Sequence, residues 1–456
     1  ISLQVTIIVF FLLYILFMPA ALWLFRKIRT GRFLVFPLAW VLFDYLRSVG
    51  FLGYPWGFLG YTQYAFLPLI QMASVTGVWG VSFVVLLLNS SFAQVLSEVF
   101  RRYRRSRESN AGGQPGLAPV YVSAGVFVAS VFAGAIYLST DVYTNPYVQG
   151  RSVRIALVQQ NSDPRKHNYE RTFQTLRRLT DQAKAENPDL IAWSETAFVP
   201  NIRRWSREDP RVYPLAGLVR EFLGYQKSLG LWLVTGNDDY DLIENEKGEQ
   251  VRLDYNASVL FSPNGERVAT YHKVHLVPFT EHFPYKKQFP WFYELLLNFD
   301  VTLWEPGRER RVFSHPLFCF ATPICFEDTF PGDIRKFVLN GAEVILNLSN
   351  DYWSLTEVEA KQHYISSLFR AVENRRPLLR STASGFTAYV DPSGRFVRGL
   401  PFFEEDYLVV DVGIEPRGIS VYTRYGDWFP IAAFLGLLLL GSLFLKKKLS
   451  LPKKKA

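Results

Sequence analysis

An α/β layered domain joined to a bundle of membrane-spanning helices is the fold class this sequence predicts, and three observations predict it. Several apolar stretches reach the roughly 20 residues a helix needs to cross a bilayer core. Between the fourth and the fifth of them, short β-branched or aromatic runs alternate with helix-length amphipathic stretches. Apolar residues make up 49% of the chain and charged residues only 20%, which excludes a disordered or highly charged protein, and mean hydropathy is slightly positive. At about 150 residues per domain, a chain of 456 would hold about three ordinary domains, but the apolar spans override that count.

The spans run over residues 5–25, 33–49 with Asp44 and Arg47 near one end, 78–100, 119–138 and 428–445. Lysine and arginine in short loops favour the cytoplasmic side. Arg26, Lys27, Arg29 and Arg32 therefore place the first loop inside, the five arginines between Arg101 and Arg107 place the third loop inside, and six lysines at 446–448 and 453–455 do the same for the C-terminus. These assignments fit one alternating thread that leaves residues 138–428 and the loop 50–76 outside. The net charge of +9 is thus read as topology, which argues against a nucleic-acid surface. Ile1 falls on the outer side without an initiator methionine, so an odd number of further spans is expected before it. The expected division is 1–147 with four spans, 148–422 exported, and 423–456 with the last span and a lysine tail.

The exported part predicts strands at 153–159, 190–194, 231–235, 257–261, 318–324, 344–348, 378–381, 386–390 and 408–412, and helices at 170–185, 211–227 and 357–374. Strands separated by helices imply a sheet buried on both faces. Turn signals at Ser262-Pro263-Asn264-Gly265 and Asp391-Pro392-Ser393-Gly394 add hairpins, so the sheet should be mixed.

Chemistry concentrates in a few residues. The two cysteines, Cys319 and Cys325, exclude a disulfide scaffold and a cysteine-rich zinc site. On one extended strand they would stand about 20 Å apart at about 3.3 Å per residue, too far for a disulfide. Cys325, at the end of its strand, is a candidate nucleophile; packing as a small hydrophobe is the other reading of a lone thiol. Glu195 ends the strand at 190–194, where burial would raise its pKa into the range of a general base. Lys273 follows another strand-like run and could stabilise an oxyanion. Glu281, in an aromatic and proline-rich loop, could hold that lysine or receive a proton. His272, His275 and His282 offer a competing Cys–His pairing that spacing does not resolve. No His-Glu-x-x-His motif and no glycine-rich phosphate loop occurs.

Glu195, Lys273 and Cys325, in that order on strand ends, resemble the Glu-Lys-Cys triad of the nitrilase superfamily. Set between spans, the domain is similar to the apolipoprotein N-acyltransferase family. The carriers are GYPWGFLGY at 53–61, WSETA at 193–197, HLVPF at 275–279 leading to Glu281, ICFE at 324–327, SNDYW at 349–353 and RPLLRST at 376–382. The resemblance implies a nitrilase-like α-β-β-α sandwich on a transmembrane helical bundle. It implies Glu195 as general base, Lys273 as oxyanion-stabilising cation and Cys325 as nucleophile, with Glu281, Glu327, Phe326 and Trp353 in supporting or substrate-binding places. Phe326 stands where the family often has tyrosine, and the family's tryptophan after the first strand has no equivalent around residues 166–169. Members have eight spans, seven of them before the catalytic domain, so three are expected to be absent from this chain.

The implied reaction is ping-pong acyl transfer from a phospholipid, through a cysteine thioester, to the N-terminal amine of a diacylglyceryl apolipoprotein. It is expected in a monomer at the outer face of a bacterial inner membrane, without metal, cofactor or nucleic acid, and with the aromatic loop 279–293 dipping into the lipid interface. A membrane-anchored amidase hydrolysing small amides would use the same triad with water as acceptor. A transporter with an exported binding domain is disfavoured because few charges lie in the spans.

Overall fold

The computed structural model describes residues 2–28, 31–106, 116–140, 151–163, 166–245, 248–298, 303–414 and 418–449. The chain divides into two compact units, Ile1–Asp141 with Arg424–Ala456, and Val142–Thr423. Arg29, Arg107, the polar loop behind it, the lysines at 453–455 and the expected boundary at 147–148 lie outside the described residues.

In the first unit, helices Ser2–Lys27, Val78–Ser106, Ala118–Ser139 and Trp428–Leu449 are long and apolar enough to cross a membrane. The span expected at 33–49 is shorter. Helix Arg32–Leu46 has 15 residues, about 22 Å at 1.5 Å per residue, below the thickness of a bilayer core. Beyond its end Arg47 donates to buried Asp44 at 2.9 Å and to the Trp56 carbonyl at 2.8 Å, so the charges in this stretch fold the chain back on itself.

The second unit holds strands β1 Arg151–Gln159, β2 Leu190–Trp193, β3 Trp232–Glu244, β4 Gln250–Phe261, β5 Arg267–His272, β6 Val312–Ser314, β7 Cys319–Ala321, β8 Val344–Ser349, β9 Leu378–Thr382, β10 Ala388–Val390, β11 Phe396–Gly399 and β12 Asp406–Ile414. They form two six-stranded mixed sheets, in the orders β12-β1-β2-β3-β4-β5 and β11-β10-β9-β8-β7-β6. Each sheet has a parallel centre, β1-β2-β3 in one and β7-β8-β9 in the other, flanked by antiparallel strands.

The sheets meet through their polar inner faces. Ser258 Oγ and Thr322 Oγ1 stand 2.6 Å apart, and Ser381 Oγ donates to the Ala192 carbonyl at 3.0 Å. The outer face of the first sheet carries the apolar core. Phe173, Leu176 and Leu179 of helix Tyr169–Lys184 and Val219 and Phe222 of helix Pro214–Leu229 pack there on Val158, Ile191, Trp193 and Leu233. Helices Pro331–Leu339 and Glu357–Asn374 accompany the second sheet, the latter touching β9. The layers are therefore α-β-β-α.

Two expectations change. The run at 318–324 is a strand only over Cys319–Ala321, because Pro323 has no N–H to give the ladder and the N–H of Ile324 goes to the Glu327 carboxylate at 2.8 Å. The helix expected at 211–227 is Pro214–Leu229, started by a proline in its first turn and closed by Gly230 at φ 68°.

Candidate active site

Glu195 leaves the buried strand β2 after Trp193 and is itself buried. Its Oε1 accepts from Asn256 Nδ2 at 2.9 Å and Lys273 Nζ at 3.5 Å, and its Oε2 accepts from the Asn350 N–H at 3.0 Å. Burial lifts its carboxyl. Lys273 pulls it down, Glu281 raises it, and hydrogen bonds from Asn256 and the Cys325 thiol lower it, with a net upward result.

Lys273 follows β5 and keeps the ladder going, its N–H donating to the Asn256 carbonyl at 2.8 Å. The side chain is fully buried, and Nζ donates to Glu281 Oε1 at 2.9 Å. The other Glu281 oxygen accepts the Val277 N–H at 2.8 Å, which fixes the loop acid in place. Burial works against the ammonium, but Glu281 and then Glu195 overcome it and hold the pKa above the ordinary lysine value.

Cys325 opens a 3₁₀ turn, Cys325–Thr329, with φ at 50°, a left-handed conformation that a side chain seldom adopts. Neighbours hold it there. Asn347 Nδ2 on β8 donates to the Cys325 carbonyl at 3.1 Å. Buried Glu327 accepts from the Ile324 N–H at 2.8 Å on one oxygen, and from Tyr271 Oη, the Val274 N–H and the His275 N–H at 2.7, 2.8 and 2.9 Å on the other. One carboxylate thus ties the cysteine turn to the loop that carries the lysine. Burial pushes the thiol well up, Glu195 and Asp351 add to this and Lys273 opposes it, so the sulfur rests as a thiol that needs a base.

Of the sequence candidates, Glu195, Lys273, Glu281 and Cys325 come together, Glu327 lies directly behind them, and Phe326 packs edge-on against Phe330 at 4.9 Å. Trp353 falls in the turn Tyr352–Ser354, with its side chain outside the described residues. The histidines are engaged elsewhere, His272 with Asp239 at 2.9 Å, His275 with Asp333 at 3.2 Å and His282 with the Trp304 carbonyl at 3.0 Å.

Sequence reasoning gave no role to a buried ionic quartet beside the cysteine turn. His363 contacts Asp351 at 3.0 Å through Nδ1 and Asp328 at 2.8 Å through Nε2, and Arg380 reaches Asp328 and, at 3.4 Å, Asp351. Asp328 belongs to the turn of Cys325, and Asp351 follows the Asn350 that holds Glu195. SNDYW and RPLLRST contain two of these residues, but their meeting with His363 is a matter of tertiary packing. Asp351, Glu359 and His363 bring ligand-type atoms within 4.8 Å of one another, yet Arg380 already supplies the positive charge there.

Comparisons with known proteins identify the family. The carbon-nitrogen hydrolase profile matches residues 154–416 and the apolipoprotein N-acyltransferase N-terminal domain profile matches residues 1–91. The chain is 40% identical to apolipoprotein N-acyltransferase 1 of Treponema denticola, over 88% of this chain and 75% of that one. It is 37% identical to apolipoprotein N-acyltransferase 1 of Treponema pallidum (86% and 72%) and 32% identical to apolipoprotein N-acyltransferase of Geobacter metallireducens (91% and 74%). Among solved structures it is similar to an amidase from Nesterenkonia sp., at 20% identity and a TM-score of 0.42, over 63% of this chain and 98% of that one.

Proposed function

This chain belongs to the apolipoprotein N-acyltransferase family, within the carbon-nitrogen hydrolases, and from that membership we propose that it moves an acyl chain from a phospholipid to the N-terminal amine of a diacylglyceryl apolipoprotein by way of Cys325. The observation that carries the reading is the meeting of three groups: the Cys325 thiol hydrogen-bonds to the buried Glu195 carboxyl, and the buried Lys273 ammonium stands 3.5 Å from that carboxyl.

In the first step Glu195 takes the thiol proton and the sulfur attacks the ester carbonyl. Lys273 and backbone N–H groups of the cysteine turn meet the charge that forms on the carbonyl oxygen. The ester C–O bond breaks, Glu195 returns the proton to the departing lysophospholipid, and a thioester remains. In the second step the acceptor amine attacks the thioester, an amide forms and the thiol is regenerated, so the kinetics are ping-pong. Glu281 positions Lys273, and Glu327 holds the turn.

Both substrates carry long acyl chains, each methylene worth about 0.8 kcal/mol of burial, so they stay in a bilayer. The membrane helices keep the enzyme with them, on the outer side of the bacterial inner membrane by the distribution of basic residues. The loop expected to meet lipid supports this reading. Phe279, Phe283 and Phe292 pack on one another, while Phe289 and Trp291 are 50% and 66% exposed.

Incubating the enzyme with a defined phospholipid should add the mass of one acyl chain to Cys325. A diacylglyceryl lipopeptide should then remove that mass and gain it as an amide, and Cys325→Ala should show no adduct. Release of free fatty acid without N-acylation would favour the amidase reading, which has only the distant Nesterenkonia likeness behind it.

A further inference from the structure

The inner face of β3 passes directly behind the base. At Gly236 a Cβ would stand 2.7 Å from Glu195 Cα and 2.8 Å from the Thr196 nitrogen, so only glycine lets the strands close there. Two residues on, the alternation of a strand returns to that face at Asp238. Its cross-strand partner on β4 is Asn256, the residue whose amide holds Glu195 at 2.9 Å.

The neighbouring acids are held by cations. Asp254, on the same face, takes Arg252 at 2.5 Å, and Asp239, on the opposite face, takes Arg267 and His272 at 2.7 and 2.9 Å. Among the described residues no hydrogen bond or ion pair holds the half-buried Asp238 carboxylate. Burial lifts it, Asp254 and Glu195 lift it further, and Arg252 opposes them, leaving it at about 7. Tyr169, at the start of helix Tyr169–Lys184, feels the same charge. Around the site Glu195 and Glu281 thus share one buried ammonium, Lys273, and Asp238 adds a further negative charge near Glu195, opposed by Arg252, which is itself paired with Asp254.

A carboxylate near the base that no hydrogen bond or ion pair holds, with the nearby Arg252 engaged by Asp254, suits a substrate that brings a cation with it. The acceptor does so, because an α-amine has an ordinary pKa of about 7.7–8.0 and arrives largely as ammonium. We propose that Asp238 seats the α-ammonium of the acceptor against the thioester on Cys325. The inference rests on the acyl-transfer reading given above.

The protons balance. The ammonium yields one proton to Asp238, which passes it to water, and the freed nitrogen attacks the thioester carbon. Glu195 takes the second proton, the C–S bond breaks, and Glu195 returns that proton to the Cys325 sulfur. Ammonium and thioester become amide, thiol and one released proton. An ethanolamine headgroup on the donor carries the same primary ammonium, so the test has to separate the two sources.

The full chain is acylated with phosphatidylglycerol or with phosphatidylethanolamine, the adduct is followed by intact mass, and transfer to a synthetic diacylglyceryl lipopeptide is then timed. Asp238→Asn should lower kcat/KM for the lipopeptide, mainly through KM, by about tenfold or more beyond any change in acylation from either donor. Asp238→Glu should recover part of the loss. Equal losses in both half-reactions, or no loss in transfer, would overturn the assignment. A loss confined to acylation from phosphatidylethanolamine would overturn it in favour of the donor headgroup. Wild-type enzyme that forms no adduct would sink the acyl-transfer reading itself, whereas adduct formation with unimpaired transfer by Asp238→Asn removes only the role of Asp238.

Discussion

Glu195 and Cys325 are both pushed towards their neutral forms by burial; the Glu195 charge raises the thiol further, while the hydrogen bond from the thiol lowers the carboxyl. In the proposed mechanism the working pair is a carboxylate beside a thiol, and the reaction starts by moving one proton between them. The sign of the pH dependence follows. As the proposed base Glu195 acts only when ionised, and its pKa lies above the ordinary glutamate value, so acylation should be lost as pH falls through that raised value, at a higher pH than an exposed glutamate would give. Single-turnover formation of the acyl adduct against pH should show this acid limb. Glu195→Gln keeps the shape and removes the base, and should cost about 10²–10⁴ in the acylation rate, the usual range for a general base. An unchanged rate or an unchanged acid limb in that variant would assign the proton to another group.

Between elements, the quartet of Asp328, His363, Arg380 and Asp351 fastens the cysteine turn to helix Glu357–Asn374, to β9 and to the end of β8. Burial and Arg380 pull the His363 pKa down, but Asp328 and Asp351 overcome both and hold it at about 10, against an ordinary 6.5. A raised histidine stabilises the fold fully below about 6.5 and loses that contribution as pH rises through about 10. His363→Gln should lower stability at neutral pH by about 3 kcal/mol or more, since it leaves buried carboxylates with less positive charge. Its thermal unfolding midpoint should also fall less than the wild-type one between pH 7 and about 10; parallel curves would show that His363 is not the titrating group. The same elements show what could be read in advance. β1, β2, β8 and β9 were foreseen because their central residues are buried on both faces and read as continuous apolar runs. The outermost strands β6 and β11 were not, since an edge strand that faces solvent, such as Phe396–Gly399, carries little apolar pattern. Glu195, Lys273 and Cys325 stood out because their chemistry is unusual at the ends of apolar strands. Asn256, Asn350 and Asp238 did not, because an amide or a lone acid in a loop or strand has no spacing that marks it before the sheet brings it to the base.

At the scale of the whole chain, donor, acceptor and enzyme share a membrane, so the side on which the second unit lies decides which substrates can reach Cys325. The basic residues predict that side. Arg26, Lys27 and Arg32 bound the first short connection, and Arg101 and Arg102 lie at the end of the helix that follows the loop region 50–76. On the proposed topology they lie in the cytoplasm and Val142–Thr423 lies on the opposite side, where exported lipoproteins would be met. Cysteine labelling tests this directly. Lys227 is exposed on helix Pro214–Leu229 and Arg101 is exposed near the end of helix Val78–Ser106, so each can carry a reporter thiol in a Cys319→Ala, Cys325→Ala background, which removes both native thiols. A membrane-impermeant maleimide should label Lys227→Cys in intact spheroplasts and Arg101→Cys only after lysis. The reverse pattern would put the second unit in the cytoplasm. An enzyme so placed would have its thiol on the wrong side of the bilayer for exported acceptors, and the acyl-transfer reading would have to give way to hydrolysis of a cytoplasmic amide.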